Sequence, residues 1–126
     1  MRSYTFLELT VAVVIIGVLA SLAFVNYQSV RENTLNREAQ ANLRLIVAAE
    51  RIYRIENSAY SAAADATGLN TNLRLRLSDA GNRNWNYRAT VGGASPTCAE
   101  ATRNGSGGRT WRLRSSDAAP ASGTCP

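Results

Sequence analysis

Polar and apolar positions along this chain change rhythm three times. Residues 9–25, LTVAVVIIGVLASLAFV, form a run of 17 without a charge, and Thr10 and Ser21 supply its only side-chain hydroxyls. Extended back to Tyr4, the run is 22 residues long with one interruption, Glu8. About 20 apolar residues at a rise of roughly 1.5 Å cross a hydrocarbon core of about 30 Å, so a membrane-spanning helix is physically possible. Beyond Val25 the pattern becomes two-sided. Leu35, Ala39, Leu43, Ile46, Val47, Ala49 and Tyr53 recur mostly at helical spacing. No glycine or proline occurs between Val18 and Thr67. The spacing therefore predicts one uninterrupted helix over residues 5–57, about 80 Å long, apolar all round in its first half and amphipathic in its second.

The remainder of the chain has a different period. Residues 57–84 read as a connecting region. It has a turn at Ser58-Ala59-Tyr60-Ser61 and an alanine-rich stretch to Gly68 with room for a short helix. Leu73, Leu75 and Leu77 alternate with Arg74 and Arg76, which suggests a short strand or extended segment. Three clearer strands follow at 85–91, 97–103 and 109–114. Gly92-Gly93 with Pro96 separates the first two, and Asn104-Gly105-Ser106-Gly107-Gly108 separates the second from the third. An antiparallel meander packed on the second half of the helix gives an α+β fold. The chain then divides into a short leader (1–3), an apolar half-helix (4–25), an amphipathic half-helix (26–57), and a loop plus sheet (58–126). Trp85, Tyr87, Trp111 and Leu113 are read as core residues, with ligand stacking by the aromatics as the alternative. Arg112 and Arg114 fall on the outward face of the third strand.

Glu8 decides how the apolar run is read. A cleaved secretory signal, with Arg2 as its charged end and Ser21-Leu22-Ala23 as its small-residue site, accounts for the run but not for the acid. A plain membrane anchor leaves Glu8 at the headgroups. The third reading makes the carboxylate functional. A charge near hydrocarbon costs about 3 kcal/mol, and such a group persists where it has a partner. Arg2 is six residues away, and Thr5 and Ala12 are neutral, so a second copy of the chain is the natural source of a cation.

Tyr4-Thr5-Phe6-Leu7-Glu8-Leu9, followed by Val14-Ile15-Ile16-Gly17-Val18-Leu19-Ala20, resembles the N-terminal signature of type IV pilins and type II secretion pseudopilins. The resemblance is strong over residues 3–28 and architectural beyond them. It implies a leader cut between Ser3 and Tyr4 by a prepilin peptidase, methylation of the new Tyr4 amine, and pairing of Glu8 with a neighbour's terminal amine in a helical homo-oligomeric filament. It also implies storage in the inner membrane, handling by pilus assembly machinery, and an end state as an extracellular pilus (fimbrium) or periplasmic pseudopilus. Adhesion, motility, secretion and DNA uptake are all uses of such fibres. Two positions depart from the family pattern: Ser3 stands where glycine usually precedes the cut, and Val25 where many members carry proline. Without that proline the helix should be continuous and less prone to melt on assembly. Gly17 is open to two readings, local helix weakening or close helix–helix approach.

Composition adds three things. The 14 basic and 9 acidic residues leave +5, and every basic residue is arginine. Arg31, Arg37, Arg44, Arg51 and Arg54 mostly alternate with Glu32, Glu38, Glu50 and Glu56. Solvated helix pairs such as Glu50 with Arg54, or pairs between stacked subunits, account for them. Arg88, Arg109, Arg112 and Arg114 form a candidate DNA-contacting face, as in a competence pilin, or one that takes a secretion substrate in a minor pseudopilin. Subunit pairing, solubility and a compositional bias toward arginine compete with that reading. Cys98 and Cys125, 27 apart, should form a disulfide if the domain is exported, tethering residues 115–126 to the sheet. In the resembling family such a loop lies on the filament surface.

The absence of histidine excludes His-based triads and His-ligated metals. Two cysteines cannot build a four-thiolate zinc site, and no nucleophile–base pair or phosphate loop is visible. No enzyme activity, metal or cofactor is expected. Asn104-Gly105-Ser106 matches a glycosylation sequon, although the same residues make a good turn.

Overall fold

The computed structural model of the chain describes residues 3–92, 95–105 and 107–126. Met1 and Arg2 of the expected leader, Gly93 of the first expected turn and Ser106 of the second lie outside the described residues. The elements run α1 (Phe6–Asn57), α2 (Ala66–Leu73), β1 (Trp85–Gly92), β2 (Ser95–Arg103), β3 (Thr110–Arg114) and β4 (Ala121–Ser122). The strands form one antiparallel sheet in the order β1-β2-β3-β4. This is the expected α+β layout, a long apolar N-terminal helix with a small sheet. The chain divides into two compact units, Met1–Leu35 and Asn36–Pro126. Residues 6–35 of α1 belong to the first and residues 36–57 to the second.

The first unit is helix with every described residue from 3 to 31 exposed. Its N-terminus is fixed by a Thr-x-x-Glu capping box. Thr5 N donates to Glu8 Oε2 at 2.8 Å, and Glu8 N donates to Thr5 Oγ1 at 3.3 Å. Each residue thus satisfies a backbone donor that the helix start leaves without a partner. The two hydroxyls of the apolar run are turned back onto their own helix. Thr10 Oγ1 donates to Leu7 O at 2.9 Å, and Ser21 Oγ donates to Val18 O at 2.8 Å. The stretch consequently offers its surroundings almost nothing but hydrocarbon.

The second unit has the core. Ala39, Leu43, Ile46 and Val47 of α1 are buried with Leu69 and Leu73 of α2 and the inward row of the sheet. That row is Trp85, Tyr87 and Ala89 on β1, Ala99 and Ala101 on β2, and Leu113 on β3. The register aligns these positions, pairing Tyr87 with Ala101 and Ala99 with Leu113. Small residues on the central strand let the bulky ones on either side reach the helix. Two polar contacts set where the helix lies against β1 and the residue before it: Asn42 Nδ2 donates to Tyr87 Oη at 2.8 Å, and Asn84 Nδ2 donates to Glu38 Oε2 at 3.2 Å. Burial pushes the Tyr87 hydroxyl up to about 12, with the Asn42 bond opposing and the Glu38 charge adding.

Four expectations need correction. Trp111 is half-buried rather than core. Leu73 closes α2, and Leu75 and Leu77 follow without a strand, because the Asn70 side chain takes the place of a strand partner. Its Nδ2 donates to Leu77 O at 2.9 Å, and its Oδ1 accepts from Leu77 N at 2.7 Å. Glu50 does not pair with Arg54. It is fully buried on the apolar stripe, where its Oε2 accepts from Ser61 N at 2.9 Å. Arg54 instead lies 5.0 Å from the Tyr60 ring centroid. Finally, the tail carries a strand, β4, that no periodicity announced.

Candidate functional site

Sequence reasoning named two regions, the N-terminal helix and the arginine face. At the first, Ser3, Tyr4 and Thr5 precede α1 as exposed, non-helical backbone. The Glu8 carboxylate is exposed and divided in use. Oε2 accepts from both the backbone N and, at 3.1 Å, the Oγ1 of Thr5. Among the described residues no cation pairs with it. The sequence reading saw the missing cation but passed over the capping box, although threonine three residues before a glutamate at the head of an apolar run is its standard signal. Gly17 is in open space: a Cβ placed there meets nothing within 4 Å. Nothing in its own chain therefore requires the missing side chain.

The second region is organised by alternation along the strands. Arg88 on β1, Glu100 on β2 and Arg112 on β3 are register partners in one row across the outward face. Cys98 and Arg114 form the next row. The C-terminal tail folds over this face. Cys98 and Cys125 are joined, as expected, with a Cα–Cα distance of 6.0 Å. Cys125 N donates to Glu100 Oε2 at 2.7 Å, and Arg112 donates to Thr124 O at 3.4 Å. Arg88 reaches Glu100 Oε1 at 2.9 Å, and Thr102 Oγ1 donates to the same oxygen at 3.3 Å. Glu100, at 3% exposure, is thus a buried acid on the solvent-directed face of a sheet, roofed by the tail. Burial works against its ionisation. The Arg88 guanidinium, the Cys125 N–H and the Thr102 hydroxyl outweigh burial and hold the carboxyl below its usual range.

Of the four arginines named as a possible DNA face, three are engaged or covered. Arg88 is paired to Glu100, Arg112 holds the tail, and Arg114 is half-buried with its backbone N donating to Asp117 at 3.4 Å. Arg109 precedes β3 and lines a shallow depression together with Trp111. The Asn104 side chain of the sequon donates to Arg83 O at 3.0 Å.

Glu50 is the charged residue that sequence reasoning misplaced. Its Oε1 is buried without a hydrogen-bond partner. Burial pushes its carboxyl up, and the Ser61 N–H opposes that only in part. Its position one turn beyond Ile46 and Val47 was the available signal. No group of three or more Cys, Asp or Glu among the described residues is placed to hold a metal ion.

These observations define a class: a helix apolar and long enough to cross a membrane by length and composition, continuing into a disulfide-closed α+β unit. The chain is similar to the type IV major pilin protein PilA of Myxococcus xanthus (strain DK1622), with 33% identity over 67 residues. The match covers 53% of this chain and 30% of that protein, so the chain spans less than a third of the relative's length. No protein-family profile matches the chain, and no solved structure matches it.

Proposed function

We propose that the chain is a structural subunit of a type IV pilus-like filament that polymerises through residues 4–25 of α1. The observation that carries this reading is the wholly exposed apolar helix headed by one carboxylate. A lone chain in water gains nothing from such a surface. A subunit stored in the inner membrane faces it to lipid first and to other helices afterwards. The similarity to a type IV major pilin and the helix-plus-sheet layout support the same reading.

In this mechanism a prepilin peptidase cuts between Ser3 and Tyr4, and the Tyr4 amine becomes the new, methylated terminus. The Glu8 carboxylate serves two partners at once. Oε2 stays with Thr5 and caps its own helix, while Oε1 is free to accept from the amine of a neighbouring copy. The pair sets register as well as strength, because a misaligned copy leaves a charge unpaired near hydrocarbon. Gly17 gives a point of close approach between helices. The sheet, with its disulfide-bound tail, faces outward.

The test has two parts. Mass spectrometry of the mature chain should find Tyr4 as a methylated N-terminus; a start at Phe24 would mark a signal peptide instead. Glu8→Ala should abolish filaments or disorder them while the second unit stays folded. Normal filaments from that variant would refute the charge pairing.

A further inference from the structure

We infer that a depression at the C-terminal end of α1, in the second unit, binds the phosphate group of an organic phosphate monoester. It has a volume of about 540 Å³ and is lined by Arg51, Arg54, Ile55, Ser58 and Tyr60. That volume lies within the range of small-ligand sites, about 300–1,000 Å³.

Helical spacing builds most of the lining. Arg54 and Ile55 follow Arg51 by three and four residues, and positions so spaced share one face of a helix. Ser58 comes directly after α1 in left-handed backbone, at φ 59, and Tyr60 closes the depression. Each guanidinium is held by a neutral partner. Arg51 Nη2 donates to Ser115 O at 3.1 Å. Arg54 Nη1 donates to Tyr60 Oη at 3.0 Å, with its guanidinium over the Tyr60 ring. Side chains fixed in advance lose less freedom when a ligand arrives. A neutral partner also leaves the charge uncancelled, and each arginine keeps further N–H donors.

Acids do not offset these charges. Among the described residues neither arginine forms an ion pair, and no carboxylate lines the depression. Glu50, the residue before Arg51, is fully buried. Glu56 lines a separate groove with Leu45 and Ile52. Asp117, two residues beyond Ser115, accepts from Arg114 N and Ser116 Oγ. Two carbonyls of the last helical turn are met locally: Ser58 N donates to Arg54 O at 2.8 Å, and Asn57 Nδ2 to Tyr53 O at 3.1 Å.

The lining selects the anion. Two guanidiniums on one face match a dianion, and planar N–H forks suit phosphate oxygens. A monoester carries nearly two charges and three strong acceptor oxygens, enough for Arg51, Arg54 and the Ser58 hydroxyl. A carboxylate or a phosphodiester has one charge and two free oxygens, and leaves part of the set unused. Ile55, 83% exposed, gives the ester's organic group an apolar surface that a free phosphate ion cannot use. This inference is independent of the filament reading, because every residue in it belongs to one chain.

The experiment uses the full chain in a non-ionic detergent, since phosphocholine and sulfobetaine headgroups carry competing oxyanions. Phosphorus NMR line broadening is recorded for phenyl phosphate and for inorganic phosphate, with dimethyl phosphate and benzoate as competitors. Saturable binding of phenyl phosphate is expected, several-fold tighter than that of inorganic phosphate, and neither competitor should displace it at equal concentration. Arg51→Gln and Arg54→Gln should each weaken it roughly tenfold. Arg76→Gln, which removes the same charge from an exposed position outside the depression, should leave it unchanged. An unaltered emission spectrum from Trp85, 1% exposed, confirms that each variant is folded. The inference is overturned if phenyl phosphate does not bind, or if inorganic phosphate binds equally well, which marks an adventitious ion only. It is also overturned if benzoate or dimethyl phosphate displaces the ester, if either glutamine variant at 51 or 54 binds normally, or if Arg76→Gln weakens binding as much as they do.

Discussion

Replacing Glu100 by alanine should cost the second unit about 1–4 kcal/mol at neutral pH. Three donors converge on this carboxylate: the Arg88 guanidinium, the Cys125 N–H and the Thr102 hydroxyl. Cys125 is buried at 9% exposure, so truncation leaves its N–H unsatisfied, at about 1–3 kcal/mol. The Arg88 side chain is 46% exposed and regains water when released, so the lost ion pair adds at most about 1 kcal/mol. Thr102 re-forms its bond to solvent at little cost. Glu100→Gln keeps an acceptor for Cys125 N and loses only the charge, so its penalty should be less than half that of alanine. The pH dependence has a definite sign. A carboxyl held low in the folded state contributes stability above its unfolded pKa of 4.5 and loses it as pH falls through the folded value. The difference between wild type and Glu100→Ala should therefore shrink in acid. Urea unfolding of the full chain in detergent, followed through Trp85 and Trp111 at neutral pH and near pH 3, reads both effects. An alanine variant as stable as wild type, or a glutamine variant as damaged as alanine, would refute the view that the tail is held through this acid.

Three more outcomes follow from single features. Cys98→Ser, which opens a bridge with sequence separation 27, should cost about 3–4 kcal/mol and free the tail to proteolysis; undiminished stability with a protected tail would contradict it. Arg74 closes α2 in the left-handed region, at φ 55, where glycine carries no steric cost. Arg74→Gly should therefore raise the unfolding midpoint by about 0.5–1 kcal/mol in equivalent stability, measured by urea titration. Glu50 has the opposite pH sign to Glu100. Its carboxyl is raised in the folded state, so it favours folding as pH falls toward 4.5 and penalises it once ionised. Glu50→Gln should remove that gain on acidification, visible as a flatter stability–pH curve.

Much of the fold is legible where a single period governs a long stretch. The continuous helix follows from the absence of breakers between residues 18 and 67, and its first turn differs by one residue because Thr5 caps it from outside. The three long strands lie within two residues of the alternating segments. The failures have local causes. Leu73, Leu75 and Leu77 imitate a strand because one asparagine side chain supplies what a neighbouring strand would. β4 has two residues and no pattern; the disulfide, not its sequence, brings it to β3. Glu50 looks like a surface partner for Arg54 only if charge outranks position, yet its place on the stripe puts it inside. Alternation puts Arg112 and Arg114 on the outward row of β3, but the tail that covers that row has no periodic signal. Glu8 was legible as an acid in an unusual setting, whereas the threonine that occupies half of it was read only as neutral.

The tail also governs what the sheet cannot do. An unpaired strand margin is a template on which other chains can build, the first step toward cross-β deposits. Here β4 shields the middle of one margin. On the other, Ala63 exchanges two backbone bonds with Ala89 of β1, at 3.0 and 2.9 Å. Both margins are thus partly occupied, which shortens the run of open strand on which another chain could add.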